Sequence, residues 1–237
     1  MAPHALLYDV HGNPGALEAV LTDARAAGAE RFVLGGDYAL FGTRPKETLD
    51  SLLELEAAAA WIRGNTDRWI APFQRARDMP PLTLVERARE YCLGQLGDEL
   101  AQELAGLPER QEIEDVLFCH ASPRSDMDGF SPQASERDDE LIGDEEQTVI
   151  VFGHTHLQFQ REARGRLLVN PGSVGMPFDG DRRAAYALWR GGRDFELRRV
   201  EYDSAAYALE LRSRMARALG DTVDTLVRRI EQAALVD

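Results

Sequence analysis

Short apolar runs recur along the first two thirds of the chain, and each ends in glycine, in a residue type that binds metals, or in both. Apolar runs of this length are typical of buried β-strands. They cover residues 5–8, 31–34, 61–63, 115–119 and 148–152. In parallel α/β sheets, sites form at the carboxyl ends of the strands. Side-by-side strands would therefore bring all five endings together.

Helical periodicity separates several of these runs. Asn13 and Pro14 suit the cap and first residue of a helix, and the apolar positions that follow share one face as far as residue 24. Together with the flanking runs, this helix predicts a βαβ unit over residues 5–34. A second helix is predicted from Pro45 to about Ala59.

A helical pair, broken at Gly97, is predicted over residues 82–106, between two of the polar motifs. Two interpretations stay open for it. The pair either overhangs the site as a small cap or packs on the flank of the sheet.

Beyond residue 153 the pattern changes to antiparallel pairs of strands. Residues 158–163 and 166–170 flank one glycine-containing turn, and residues 184–190 and 195–202 flank another. We expect these strands to complete a second sheet. The C-terminal part, residues 204–237, predicts two amphipathic helices split at Gly220, which either dock on the same domain or form a homodimer interface.

Composition indicates a water-soluble enzyme. A chain of 237 residues is long enough for one domain with a sizeable core. The formal charge is −14, and the sequence shows nothing that resembles a basic groove for duplex nucleic acid. An acidic surface favours small substrates over large polyanions. Cys92 and Cys119 are predicted to be reduced, buried thiols, which suggests a cytoplasmic location. The sequence shows neither a signal peptide nor an apolar stretch of the length that a membrane span requires, so no membrane partner is expected.

The polar ends of the runs hold the candidate chemistry. Four of the five histidines lie in motifs with Asp, Asn and Gly. The candidate metal ligands are Asp9, His11, Asp37, Asn65, His120, His154 and His156. Imidazole together with carboxylate oxygen suits divalent transition metals. Seven such groups are too many for one ion and about right for two ions that share a bridge.

The order Asp-x-His, Gly-Asp, Gly-Asn, His, Gly-His-Thr-His resembles the calcineurin-like metallophosphoesterases, and the resemblance covers residues 5–190. The turn at 170–175 is similar to the small bacterial phosphodiesterase branch of that family. The resemblance implies a four-layer α/β/β/α sandwich of two mixed β-sheets flanked by helices, with a small helical cap insertion. The expected organisation is a metallophosphoesterase domain at 1–202, with the insertion at 70–108, and a helical extension at 203–237.

The resemblance also implies the roles of the ligands. The first metal would be held by Asp9, His11 and His156. The second would be held by Asn65, His120 and His154, and Asp37 would bridge the two. Both would be divalent ions, with manganese expected and iron, zinc, nickel and cobalt as alternatives. No side chain is assigned as catalytic, because the nucleophile would be a hydroxide shared by the metals.

Three residues are candidates for substrate contact: Asn65, Thr66 and Arg124. Arg124 is a candidate phosphate clamp, with an ordinary solvated loop arginine as the alternative. Met176 and Phe178 would either stack on a base or aryl group or only seal the edge of the core.

The chain departs from the fuller family pattern after Asn65, where Thr66 stands in place of a histidine thought to protonate the leaving oxygen. A threonine hydroxyl cannot act as a general acid near neutral pH. This favours a phosphodiesterase for small phosphodiester or nucleotide substrates. The alternatives are a phosphomonoesterase of the protein phosphatase type, a dinucleoside polyphosphate hydrolase, and a non-catalytic scaffold.

Overall fold

Two five-stranded β-sheets form the centre of the structure, a computed structural model that describes residues 2–71 and 83–236. The strands of the first sheet are His4–Leu7 (β1), Arg31–Leu34 (β2), Ala59–Trp61 (β3), Ala184–Trp189 (β9) and Phe195–Val200 (β10). Their order is β10-β9-β1-β2-β3. In this sheet β1, β2 and β3 are parallel, whereas β9 pairs antiparallel to both β1 and β10.

The second sheet is also mixed. Its strands are Arg110–Ile113 (β4), Val116–Cys119 (β5), Val149–Val151 (β6), Phe159–Ala163 (β7) and Arg166–Asn170 (β8). Their order is β4-β5-β6-β8-β7, with β5, β6 and β8 parallel to one another. Strand β5 precedes His120, and strand β6 precedes His154 and His156.

Helices cover the outer faces of the sheets. They are Pro14–Ala26 (α1), Pro45–Leu53 (α2), Asn65–Trp69 (α3), Thr83–Ala105 (α4), Arg137–Ile142 (α5), Ser204–Leu219 (α6) and Val223–Gln232 (α7). The predicted cap of α1 is confirmed, since the Asn13 side chain accepts a hydrogen bond of 3.1 Å from Ala16 N. Helix α4 is kinked at Gly97, where φ is 76°.

Strand alternation divides the apolar side chains among three core layers. In β1, Leu6 points into the layer between the sheets, whereas Ala5 and Leu7 pack under the helices on the outer face. In β5, Phe118 lies between the sheets and Cys119 lies in the outer layer under α5. These layers give the α/β/β/α sandwich that the family resemblance implied, and the fold class is confirmed.

The structure corrects the expected arrangement of the last strands. The hairpin at 159–170 joins the second sheet, but the hairpin of β9 and β10 joins the first sheet beside β1. Strand β4 had no sequence signal, because only one of its four residues is apolar and its pattern does not alternate. The helix predicted from Pro45 to about Ala59 ends at Leu53, and β3 begins at Ala59 because this segment pairs with β2.

The predicted division into domains stays a prediction. Residues 72–82 of the predicted insertion lie outside the described residues, and they include Leu82, the first residue of the predicted helical pair. Helix α4 packs against α2, α3 and α6, and Val85 also reaches the candidate site. Among the helices that the structure describes, none is long and apolar enough to span a membrane.

Candidate metal centre

The predicted ligands come from the carboxyl ends of five parallel strands. Asp9 and His11 follow β1, Asp37 follows β2, and Asn65 follows β3 in the first sheet. His120 follows β5, and His154 with His156 follows β6 in the second sheet. The two sheets present these ends at the same edge of the sandwich, and all seven side chains meet there.

Glycines beside the ligands allow the two sheets to approach closely. At Gly36 the backbone φ is 97°, and a Cβ there would lie 2.8 Å from His120 Nδ1 and 2.6 Å from Gly64 Cα. At Gly64 a Cβ would lie 2.2 Å from Asp37 Oδ1. Any other residue at either position would collide with the groups of the site.

Five of the seven predicted ligands adopt left-handed backbone angles, which are uncommon for residues other than glycine. The φ values are 54° at Asp9, 48° at His11, 59° at Asp37, 63° at His154 and 58° at His156. Such conformations are unfavourable by about 1–3 kcal/mol each and persist where the surrounding structure enforces them. Their concentration at one place is typical of a functional site.

One group of acceptor atoms converges around His11 and His156. Their Nε2 atoms are 3.1 Å apart, and both rings use Nδ1 to reach backbone carbonyls, of Leu40 and Met176 respectively. Because Nδ1 must carry the proton to donate, both Nε2 atoms present lone pairs to each other. Asp9 Oδ1 lies 3.7 Å from His156 Nε2, is buried, and has no hydrogen-bond partner among the described residues. Converging lone pairs of this kind fit a bound cation.

A second group converges around Asn65. Its Oδ1 lies 2.9 Å from His120 Nε2 and 3.0 Å from His154 Nδ1. His120 Nδ1 reaches the carbonyl of Gly35 at 2.8 Å, and a proton on Nδ1 would leave the lone pair of Nε2 directed at this group. Ligand nitrogens about 2.1 Å from one ion lie about 3 Å apart, so this spacing also fits a metal ion.

Asp37 lies between the two groups. Its Oδ2 is 3.7 Å from His11 Nε2, and its Oδ1 is 3.5 Å from His120 Nε2. One carboxylate therefore faces both histidine groups, as the resemblance implied for a bridging ligand. Asp9 is also placed centrally, since its Oδ1 is 4.0 Å from His120 Nε2 as well as close to His156.

The histidines are in the protonation state that metal ligands require. Burial lowers the pKa of His11 to about 3, that of His120 to about 4 and that of His154 to about 3. Burial and the neighbouring His11 hold the pKa of His156 well below its usual value. All four rings are therefore neutral at pH 7, so no proton has to be displaced from them when a metal binds.

The carboxylates show the opposite effect. Burial and the neighbouring Asp37 raise the pKa of Asp9 well above its usual value. Burial raises the pKa of Asp37 to about 7, and burial together with Asp37 raises that of Asp67 to about 8. Three crowded acids without a cation resist ionisation, and divalent ions at the same place would reverse this shift.

Asp67 holds the two loops that carry Asp37 and Asn65. Its Oδ2 accepts hydrogen bonds of 2.8 Å from the backbone N–H of Asp37 and of Gly64, and its Oδ1 accepts one of 3.1 Å from Tyr38 N. No role was predicted for Asp67 from the sequence, although its place in the Gly-Asn motif was a signal. Its contacts hold the backbone of Asp37, the predicted bridging ligand.

The Asn-Pro-Gly-Ser loop positions the ligands of the first group. Ser173 Oγ donates to the carbonyl of Asp9 at 2.7 Å, and the carbonyl of Met176 accepts from the His156 ring. Phe178 stacks on His156 with ring centroids 4.3 Å apart. Met176 and Phe178 therefore line the cavity, and one face of Phe178 lies against the ring of His156. Stacking of these side chains on a base or aryl group stays a prediction.

A cavity of about 190 Å³ opens over these groups. Thr66 lines it and is nearly buried, and its backbone N–H donates to Asp37 Oδ1 at 2.9 Å. Apolar side chains and Arg229 of α7 complete the wall. Arg229 was missed by the sequence analysis, because α7 is distant in sequence from every motif.

The structure places Arg124 in a different cavity, of about 410 Å³, whose lining includes His120. Its guanidinium lies 3.6 Å from Asp144, and both side chains are exposed. Arg124 does not line the cavity that contains His11, Asn65 and Thr66, so the structure does not bring it together with the other two candidate substrate contacts. Its role in substrate binding stays a prediction.

The family is shown by comparison with known proteins. The model of the calcineurin-like phosphoesterase superfamily domain matches residues 3–190, and the chain belongs to this family of metal-dependent phosphoester hydrolases. Members of the family typically bind two divalent ions, which the groups of ligands described above would accommodate.

Three relatives extend over nearly the whole chain. A metallophosphoesterase from Sphaerobacter thermophilus is 27% identical, with a TM-score of 0.80 over 98% of this chain and 99% of its own. The uncharacterized protein MJ0912 of Methanocaldococcus jannaschii is 28% identical over 92% of this chain and 95% of its own. The hypothetical protein PH1004 from Pyrococcus horikoshii is 20% identical, has a TM-score of 0.83 over 97% of this chain and 99% of its own, and shows the shared fold.

Proposed function

We propose that this protein is a phosphodiesterase that hydrolyses small phosphodiester or nucleotide substrates at a centre of two divalent ions, with manganese as the expected metal. The ligands are Asp9, His11 and His156 on one side, and Asn65, His120 and His154 on the other, with Asp37 between them. When bound, the metals supply Lewis-acid activation of water and of the phosphate group.

The composition of the cavity is the observation that carries the proposal. Apart from the predicted ligands, the described residues that line it have no side chain that can act as a general acid near neutral pH. Thr66 lies beside Asp37, where its backbone N–H holds Oδ1 of that carboxylate. Since Thr66 cannot protonate a leaving oxygen, substrates whose leaving group departs readily as an anion are favoured, and activated diesters have this property.

The remaining residues of the site bind and orient. Asp67 fixes the backbone of Asp37 and Gly64, and the backbone carbonyls at Leu40, Gly35 and Met176 fix the tautomers of three histidines. Such outer contacts keep the ligand atoms aimed at the metals. Burial of the ligands keeps bulk water away from them, which strengthens every electrostatic interaction in the site.

Two aryl esters with the same leaving group test the proposal. Metal-loaded protein is assayed on bis(4-nitrophenyl) phosphate and on 4-nitrophenyl phosphate, and we expect faster turnover of the diester. The variant Asp37→Asn, prepared in the same way, is the control for contaminating phosphatases and should be inactive on both. Turnover of the monoester alone would contradict a phosphodiesterase, and turnover of neither would favour a scaffold.

A further inference from the structure

Arg229 brings a positive charge to the candidate site from outside the family domain. The family match ends at residue 190, whereas α7 covers Val223–Gln232. Arg229 nevertheless lines the same cavity as His11, Asp37 and Asn65. Apart from the neutral histidines, it is the one basic side chain among the described residues that line this cavity.

A hydrogen bond to the backbone of Val236 restrains the Arg229 side chain. Its Nε donates to the carbonyl of Val236 at 3.0 Å, and the side chain is half-buried. Helix α7 is anchored beside the site, because Leu226, Val227 and Ile230 are buried in the core, and the Ala233 carbonyl accepts from Gly180 N at 2.9 Å. An arginine held in this way brings a planar guanidinium to the wall of the cavity.

The rest of the wall is apolar and largely aromatic. Phe41, Trp69 and Phe178 line the cavity together with Val85 and Met176. Trp69 Nε1 is buried and has no hydrogen-bond acceptor within the described parts of the chain. A cavity with aromatic sides, an unpaired indole N–H and a guanidinium suits a ligand that combines a flat ring with anionic oxygen.

We propose that Arg229 is a specificity-determining residue that contacts an anionic oxygen of the substrate, while a planar organic group of the substrate lies against Phe41, Trp69 and Phe178. The substrate class is then a nucleotide-like organic phosphate. This inference rests on the proposed function, because it assigns the substrate of the same site.

Net charge explains why a single arginine matters here. The chain carries a formal charge of −14, so its surface repels phosphate compounds at a distance. A guanidinium inside the cavity reverses that repulsion locally and offers charge-assisted hydrogen bonds to phosphate oxygens. A ligand without an anionic group would gain nothing from it.

Calorimetric binding tests the inference without requiring turnover. Manganese-loaded protein is titrated with adenosine 5′-monophosphate, ribose 5-phosphate and adenosine. The wild type should bind the nucleotide more tightly than either fragment. Arg229→Gln should weaken both phosphate ligands at least tenfold, as expected for loss of a charge-assisted hydrogen bond, and leave adenosine unchanged within about twofold. Arg228→Gln, an exposed neighbour on the same helix, is the matched control and should bind all three probes as the wild type does.

Metal content and thermal stability are measured for each variant. Arg229→Gln with wild-type metal content and unchanged affinity for the nucleotide would overturn the inference. If that variant does not fold, Arg229→Lys is measured in its place, since it keeps the positive charge but not the planar guanidinium. It should weaken the binding of both phosphate ligands, by a smaller factor than Arg229→Gln, and leave the binding of adenosine unchanged. An equal loss for the nucleotide and for adenosine would overturn the inference. Since these readouts are affinities, an inactive wild type would count against the proposed function and not against this contact.

Discussion

Asp37 shows how single residues organise the site. Its two oxygens face different histidine groups at 3.7 Å and 3.5 Å, and its backbone N–H is held by Asp67. The sequence motif was enough to predict that Asp37 lies at the site, because a polar residue just after a buried parallel strand lies at the carboxyl edge of the sheet. The contact from Asp67 was not predictable, since it depends on how the loop after β3 folds back on the loop after β2.

Replacement of Asp67 should weaken the centre without removing a ligand. Asp67→Asn exchanges one acceptor oxygen for an amide that cannot accept from Asp37 N, Gly64 N and Tyr38 N together. We expect metal affinity or activity to fall by about 10–100-fold, as for other residues that orient ligands. Metal titration and steady-state assays measure this. Asp98→Asn, at an exposed position of α4, is the control, and an equal effect of the two changes would refute the positioning role.

Thr66 is the second residue with a distinct prediction. Thr66→His restores a group that can protonate a leaving oxygen, at a position whose backbone already contacts Asp37. Activity should rise on esters with poor leaving groups, such as alkyl diesters, and change little on nitrophenyl esters. A plot of log kcat/KM against the leaving-group pKa should become shallower. An unchanged slope would mean that protonation is handled elsewhere.

Among the elements, the parallel strands position the predicted ligands, and helix α7 completes the wall of the cavity through Arg229. The strand endings were predictable from apolar runs that stop at glycine or at a ligand. The sheet that β9 and β10 join was not predictable, because the pattern of an antiparallel hairpin does not specify the strand beside which it pairs. The docking of α7 beside the candidate metal centre was not predictable either, since an amphipathic face does not specify the surface that covers it.

The docked position of α7 predicts unequal effects of two leucines. Leu226 is fully buried and Leu209 is 71% exposed. Leu226→Ala should destabilise the protein by about 2–5 kcal/mol, as for other buried leucines. Leu209→Ala should stay within about 0.5 kcal/mol. Chemical denaturation measures both effects, and similar values would show that α7 does not pack as described.

The same helices were a candidate homodimer interface, and this stays a prediction. Their buried residues, including Leu211 and Leu226, pack within this chain, while Leu209 and Leu235 are exposed at 71% and 67%. A dimer through the exposed residues would give an elution volume that depends on protein concentration. A Leu209→Arg variant would then elute as a monomer.

For the whole molecule, the crowding of acids at the centre links metal content to stability. In the metal-free protein the pKa of Asp37 is raised to about 7 and that of Asp67 to about 8, whereas unfolded aspartate titrates near 3.9. Between those values the folded state binds more protons than the unfolded state, so stability falls as pH rises. The buried histidines act in the opposite direction below about pH 6.5, where the unfolded state binds their protons.

Above about pH 7.5 the unfolded histidines bind few protons, so the acids dominate the pH dependence there. From pH 7.5 to 8.5, the chelated protein should lose on the order of 0.5–1 kcal/mol, which lowers Tm by roughly 2 °C. Metal-loaded protein should lose much less, because the cations stabilise the ionised carboxylates. Differential scanning calorimetry of both samples measures the difference. Parallel pH profiles would show that these acids do not share a cation site.

A crystal structure of manganese-loaded protein, with anomalous scattering recorded at the manganese edge, tests the dinuclear centre directly. We expect two peaks about 3.5–4 Å apart, both within coordination distance of Asp37. One peak should lie against His11 and His156, and the other against Asn65, His120 and His154. A single peak, or peaks away from Asp37, would contradict a dinuclear centre at the edge of the two sheets.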